Sequence, residues 1–193
     1  MEKRTALCTR KTRETDVEVS LCLDGGAVEV DTGIGFFDHM LTAFAVHGGL
    51  GLQLRCRGDL IVDGHHTVED VGIVLGDALA QALGDKAGIA RYGSFYIPMD
   101  EALAFCSLDI SGRPYLVFGA SFPQERVGTY SACLTQEFFR SLATHAGLTL
   151  HLRCEYGSNS HHMIEALFKA AGHALRAAVV RQDGTLSTKG TLN

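Results

Sequence analysis

A chain of 193 residues, 46% hydrophobic and 20% charged, can bury a full core as one domain or as two small packed ones. A formal charge of −5 argues against a nucleic-acid backbone as partner, and no apolar run approaches the roughly 20 residues of a membrane-spanning helix, so neither nucleic acid nor membrane is expected. No apolar stretch follows the basic start Met1–Cys8, which predicts a cytoplasmic protein, and the six cysteines form no Cys-x-x-Cys pair and read as reduced, mostly buried residues.

In chain order, Val17–Leu23 alternates as a strand, and Asp24-Gly25-Gly26 signals a hairpin into Ala27–Val30. Phe37, Leu41 and Phe44 recur at helical spacing up to a stop at Gly48-Gly49. Leu50, Leu52 and Leu54 then alternate, and from His65 a helix carries Val68, Val71, Leu75 and Leu79 on one face. After a join near Gly88–Gly93 the rhythm returns. Strands are predicted near Ala102–Ile110 and Tyr115–Ala120, a helix near Ser131–His145, a strand over Leu148–Arg153 and a helix near Ser160–Val180. The prediction is an α+β fold of two β-β-α-β-α halves, residues 1–90 and 91–193, with helices on one face of each antiparallel-dominated sheet.

The two halves are a duplication. The segment from Phe36 to Cys56 matches the one 98 positions later, Leu134 to Cys154: His47 falls on His145, Gly49 on Gly147 and Leu54-Arg55-Cys56 on Leu152-Arg153-Cys154. After a two-residue shortening, His65-His66 falls on His161-His162, Glu69 on Glu165 and Gly76 on Gly172.

The chain therefore carries His-His-x-x-Glu twice. Residues four apart share a helix face while neighbours point about 100° apart, so His65 with Glu69, and His161 with Glu165, can each hold a metal ion. His66 and His162 point elsewhere. Crosswise pairing gives one ion His65, Glu69 and His162, and the other His161, Glu165 and His66, within a chain or across a subunit interface. His39 and Glu137 occupy equivalent positions on the preceding helices and are the fourth-ligand candidates. Mixed imidazole and carboxylate donors suit manganese, with zinc or iron(II) possible, and four protein ligands leave open positions if the ion is octahedral, which favours manganese. His47, His145, His151 and His173 read as structural.

Taken together, Phe36-Phe37-Asp38-His39-Met40-Leu41, Asp63-Gly64-His65-His66-Thr67-Val68-Glu69-Asp70, Ser111-Gly112-Arg113-Pro114-Tyr115-Leu116, Arg126-Val127-Gly128-Thr129-Tyr130, the run from Asn159 through Lys169 to Ala170, and Ser187-Thr188-Lys189-Gly190 resemble the imidazoleglycerol-phosphate dehydratases of histidine biosynthesis. The resemblance spans essentially the whole chain. It implies a ribosomal-S5-domain-2-like duplicated fold, two Mn(2+) per active site, and a 24-subunit shell whose interfaces form the sites. It marks Glu14 as a substrate-contacting acid/base, and Arg91, Arg113, Lys169, Ser187, Thr188 and Lys189 as groups around a phosphate. Such recognition needs charge-assisted donors. Two positions depart from the family's pattern: Glu137 stands where many members have histidine, and Gly64 replaces an aspartate.

The implied reaction is dehydration of D-erythro-imidazoleglycerol phosphate to imidazoleacetol phosphate. The side-chain proton that must be lost is not acidic by itself, since no carbonyl activates it. Two metals on the ring nitrogens would allow an imidazolate/diazafulvene route, with Glu14 first choice for proton transfer, Glu69 second, and His39 beside the reacting atoms. A dinuclear hydrolase acting on a phosphate ester is the alternative chemistry, and a metal-storage or structural cage the non-enzymatic one.

Overall fold

The computed structural model of the chain describes residues 2–184, 186–188 and 190. The first half runs β1 (Thr5–Lys11), β2 (Thr15–Cys22), β3 (Val28–Asp31), α1 (Gly35–Gly48), β4 (Gly51–Gly58) and α2 (His65–Leu83). The second runs β5 (Tyr92–Met99), β6 (Ala102–Asp109), β7 (Tyr115–Gly119), a short ribbon of β8 (Arg126–Val127) and β9 (Tyr130–Ser131), α3 (Leu134–Ala146), β10 (Thr149–Tyr156) and α4 (Ser160–Ala178). The β-β-α-β-α rhythm is present twice, and each copy is preceded by one further strand, β1 or β5.

The strand orders are β1-β2-β4-β3 and β5-β6-β10-β7, each with two antiparallel pairs and one parallel pair. The hairpin expected at Asp24-Gly25-Gly26 does not form. β4 lies between β2 and β3, and β3 runs parallel to β4 through the crossover α1. Asp24 instead accepts the Arg4 guanidinium at 2.7 Å and the Arg4 backbone N–H at 2.8 Å, fastening the chain start to the turn.

Alternation decides what each sheet buries. Val17, Val19 and Leu21 on β2 and Leu52, Leu54 and Cys56 on β4 face inward, as do Ala104, Cys106 and Leu108 on β6 with Leu150 and Leu152 on β10. The helices cover these faces and also pack on each other across the halves, α1 on α4 and α2 on α3. Phe37 meets Phe138 at 5.4 Å between ring centroids, and Phe138 stacks on Phe168 at 5.2 Å, so one aromatic cluster joins α1, α3 and α4. The core is thus shared between the halves. Of the six free cysteines only Cys56 and Cys106 are buried; Cys8, Cys22 and Cys154 are half-buried at sheet edges and faces, and Cys133 is exposed, so the expectation of mostly buried thiols is corrected.

The identities that align in the repeat have structural causes. Gly49 and Gly147 both end a helix in the left-handed region, at φ 65° and 66°, where a side chain would be strained. A Cβ on Gly76 would lie 2.6 Å from the His145 Cβ, and one on Gly172 would lie 2.6 Å from the Phe44 carbonyl oxygen, so both glycines let helices cross closely. His47 bonds His173 at 3.0 Å across α1 and α4, and the equivalent His145 bonds Asp77 at 2.9 Å across α3 and α2.

Candidate active site

All four helices begin at one end of the molecule. A Cβ on Gly64, just ahead of α2, would touch Ile34 ahead of α1 and Leu134 at the start of α3, and Phe36 on α1 packs edge-on against His161 on α4. The starts are locally specified: Asn159 caps α4 by accepting the His161 N–H at 2.9 Å, and Asp63 accepts the His65 N–H at 2.7 Å where Gly64 offers no side chain. The repeated His-His-x-x-Glu elements are thereby placed at adjacent helix starts.

His39, His161 and Glu165 form a three-residue group whose ligand atoms lie within 4.8 Å of one another. Glu165 Oε2 is 3.2 Å from His161 Nε2 and 3.5 Å from His39 Nε2. Its other oxygen pairs with Lys169 Nζ at 2.7 Å. Burial pushes the Glu165 carboxyl up, but the Lys169 ammonium, with His39 and His161, outweighs this and holds it below the usual carboxylate value. Two imidazoles and a charged carboxylate at this spacing are a donor set that fits a divalent ion.

The repeat-related group is looser. His65 Nε2 is 3.6 Å from Glu69, while Glu137 at the start of α3 is paired with Arg140 at 3.1 Å. Within one chain, His66 and His162 join neither group. His66 Nδ1 faces Asp59 at 3.1 Å with Nε2 3.8 Å from Glu14, and His162 Nδ1 faces Glu101 at 2.7 Å with Nε2 3.6 Å from Asp100. The Asp59 carboxylate raises the His66 pKa and the Glu101 carboxylate raises that of His162; the His162 contact and the Ser158 N–H hold Glu101 down to about 2.

The substrate-group candidates lie in two places. Arg91, buried and with φ 72°, grips both oxygens of Asp109 at 2.6 and 3.0 Å and donates to the Leu186 carbonyl at 2.7 Å. Arg113 reaches Asp109 at 3.8 Å from an exposed position. Ser187 is half-buried and Thr188 exposed beside Leu186, and Gly190 N donates to the Ser187 carbonyl at 3.1 Å; Lys189 lies outside the described residues. Arg91 immediately precedes β5, whereas Lys169 contacts Met99 at the far end of that strand. A single chain therefore separates Arg91 and Arg113 from the His39 group by the length of a strand. Glu14, in the β1–β2 turn, is exposed, and its carboxylate lies 3.8 Å from Nε2 of His66 at the start of α2.

Asp59, Glu101 and Asp109 carry no signal in the sequence. Each works through a contact made by folding, Glu101 with a histidine 61 positions away, and no local pattern marks them.

Residues 32–175 match the family model for imidazoleglycerol-phosphate dehydratase. The imidazoleglycerol-phosphate dehydratase of Acetivibrio thermocellus is 55% identical over 188 residues, covering 95% of this chain and 96% of that protein. That of Bacillus thuringiensis is 58% identical over 187 residues with the same coverage. Among solved structures, imidazoleglycerol-phosphate dehydratase from Staphylococcus aureus superposes with a TM-score of 0.82 at 42% identity, covering 92% of this chain and all of that one. The enzyme from Pyrococcus furiosus gives 0.85 at 38% identity, covering 95% and 99%.

Proposed function

The chain belongs to the imidazoleglycerol-phosphate dehydratase family, a hydro-lyase of histidine biosynthesis, and from that premise we propose a two-metal dehydration at sites completed by neighbouring copies of the chain. The substrate is D-erythro-imidazoleglycerol phosphate and the product imidazoleacetol phosphate. The observation that carries the reading is the convergence of His39, His161 and Glu165 on one point while the equivalent His65, Glu69 and Glu137 sit at the neighbouring helix starts. These two groups would hold the ions, with His66 and His162 contributed by other copies; manganese is the ion their mixed donors favour. Bound there, divalent ions supply Lewis acidity to the imidazole of the substrate.

The remaining work falls to side chains. Glu14 is exposed at a turn and free to approach a substrate held against a neighbouring copy, where it takes or returns the side-chain proton. His39 would help to hold an ion against which the substrate ring could be oriented. Arg91 and Arg113, with Ser187, Thr188 and Lys189 following Leu186, clamp the phosphate and fix the reacting carbons near Glu14. Lys169 keeps Glu165 charged and stands ready for the phosphate end. The separation of the arginine cluster from the His39 group within one chain supports sites shared between subunits, and the family resemblance extends this to a 24-subunit shell.

Product identity tests the reading. Incubation with substrate should yield a ketone at constant total phosphate ester, and chelation of the metal should abolish this and lower the mass of the assembly. Release of inorganic phosphate instead would identify a hydrolase, and full activity after complete metal removal would exclude the two-metal scheme.

A further inference from the structure

His66 and His162 are presented in the same way by carboxylates that the repeat does not relate. His66 Nδ1 lies 3.2 and 3.1 Å from the two oxygens of Asp59, which follows β4. His162 Nδ1 lies 2.7 Å from Oε2 of Glu101, in the β5–β6 turn. The counterpart of that turn in the first half holds Glu14, which faces the other nitrogen of His66. Two different carboxylates have thus arrived at one geometry. An ionised carboxylate only accepts, so each Nδ1 carries a proton and each Nε2 is left as the lone-pair donor.

We propose that Asp59 and Glu101 are positioning residues that fix His66 and His162 as Nε2 metal donors, aimed outward toward the site of a neighbouring copy. The proposal rests on the metal-binding role of these histidines put forward above. Carboxylates hydrogen-bonded behind metal-binding histidines set the tautomer and ring orientation. Glu101 is itself held: its Oε1 accepts the Asn159 N–H at 2.8 Å and the Ser158 N–H at 3.1 Å, just ahead of α4, which leaves Oε2 for His162. Asp59 is held by its backbone, its N–H donating to the Glu14 carbonyl at 3.0 Å and its carbonyl accepting from Val62 at 2.8 Å. No such carboxylate stands behind Nδ1 of His65 or His161 among the described residues; their Nε2 atoms face Glu69 and Glu165.

The difference between the two carboxylates makes the idea testable. In Glu101→Gln the two backbone N–H groups still claim the side-chain oxygen, so the amide NH2 turns to His162, donates to Nδ1 and forces the proton onto Nε2. In Asp59→Asn no other donor among the described residues claims the oxygen, so the amide can turn and still accept from His66. Manganese-loaded wild-type, Glu101→Gln, Glu101→Ala and Asp59→Asn proteins would be titrated with a competing chelator, with retained manganese per subunit as readout and circular dichroism as the fold control. Glu101→Gln should weaken retention by about 10- to 100-fold, and Asp59→Asn by on the order of fivefold. Glu101→Ala should retain more metal than Glu101→Gln, because alanine imposes no wrong tautomer. A purely structural role predicts the reverse order, since glutamine still caps the backbone and alanine does not. Wild-type retention in Glu101→Gln, or poorer retention in Glu101→Ala, overturns the proposal while leaving the metal reading intact. Failure of the wild-type protein to hold manganese overturns both.

Discussion

His39 on α1 and Glu165 on α4 come from opposite halves of the chain and stand 3.5 Å apart, on helices that also share the His47–His173 bond farther along the seam. The duplication is therefore more than two similar pieces side by side: the first half sets His39 against the His161–Glu165 pair on a helix of the second. Glu165 is buried and ionised, with Lys169 as its standing partner. Replacing it by Gln should remove the ion shared with His39 and His161 and lower turnover by about 100-fold or more, at the upper end of what disturbing a metal site costs. Metal analysis of the purified variant checks this, and undiminished metal content would take Glu165 out of the ligand set.

Glu14→Gln should behave differently. Removing a positioned acid/base lowers turnover by about 100- to 10,000-fold, while the metal content stays near that of the wild type because Glu14 is not required as a ligand. Parallel loss of both would place Glu14 in the metal site.

The Glu101–His162 contact has opposite consequences for stability and for ligation. His162 is held above its ordinary value of 6.5 by Glu101, so in metal-free protein the pair's stabilisation is fully present just below that pH and is lost as pH rises through the raised value. On the acid side it is full above the ordinary Glu101 value of 4.5 and is lost as pH falls from there through the lowered value near 2. The difference in thermal midpoint between metal-free wild type and Glu101→Ala should therefore be largest between pH 4.5 and 6.5 and shrink on raising the pH above that window. Manganese affinity should change the other way, falling as pH drops, since a protonated imidazole cannot ligate. A midpoint difference that grows with pH would contradict the assignment.

Gly172→Ala places a Cβ 2.6 Å from the backbone oxygen of Phe44, which cannot rotate away. Overpacking of this kind costs about 1–3 kcal/mol, against about 1 kcal/mol gained from helix propensity. A net loss of stability should appear in chemical denaturation, together with weaker metal retention because α1 carries His39. The same change at Gly84, where an added Cβ meets nothing, tests only backbone strain at φ 58° and should leave metal retention unchanged.

Arg91→Lys keeps the charge but cannot reproduce the fork on both oxygens of Asp109 together with the bond to the Leu186 carbonyl. KM for the phosphorylated substrate should rise by about tenfold, the loss of one charge-assisted bond. A change confined to kcat would argue against a role in holding the phosphate.

Much of this protein was written locally. Two-residue alternation and helical spacing predicted each half's elements apart from its first strand, β1 or β5, and the β8–β9 ribbon, because burial on one face leaves a periodic trace in Val17, Val19 and Leu21 or in Val68, Val71 and Leu75. The duplication exposed both His-His-x-x-Glu elements and nominated His39 and Glu137, since ligand spacing on a helix is fixed by its pitch. The position of β4 between β2 and β3 was not legible, because Asp24-Gly25-Gly26 satisfies a hairpin and a crossover start equally well. Nor was the pairing of α1 with α4, which depends on the close approach at Gly172 and which decides that His39 meets Glu165 rather than Glu69. The His39 group could be drawn from the sequence as a set of candidates. Which of them share a point in space is settled only when helices from opposite halves pack, and which histidines are turned outward by Asp59 and Glu101 only when each half's turns fold against its own helix start, because those contacts join residues that no local pattern relates.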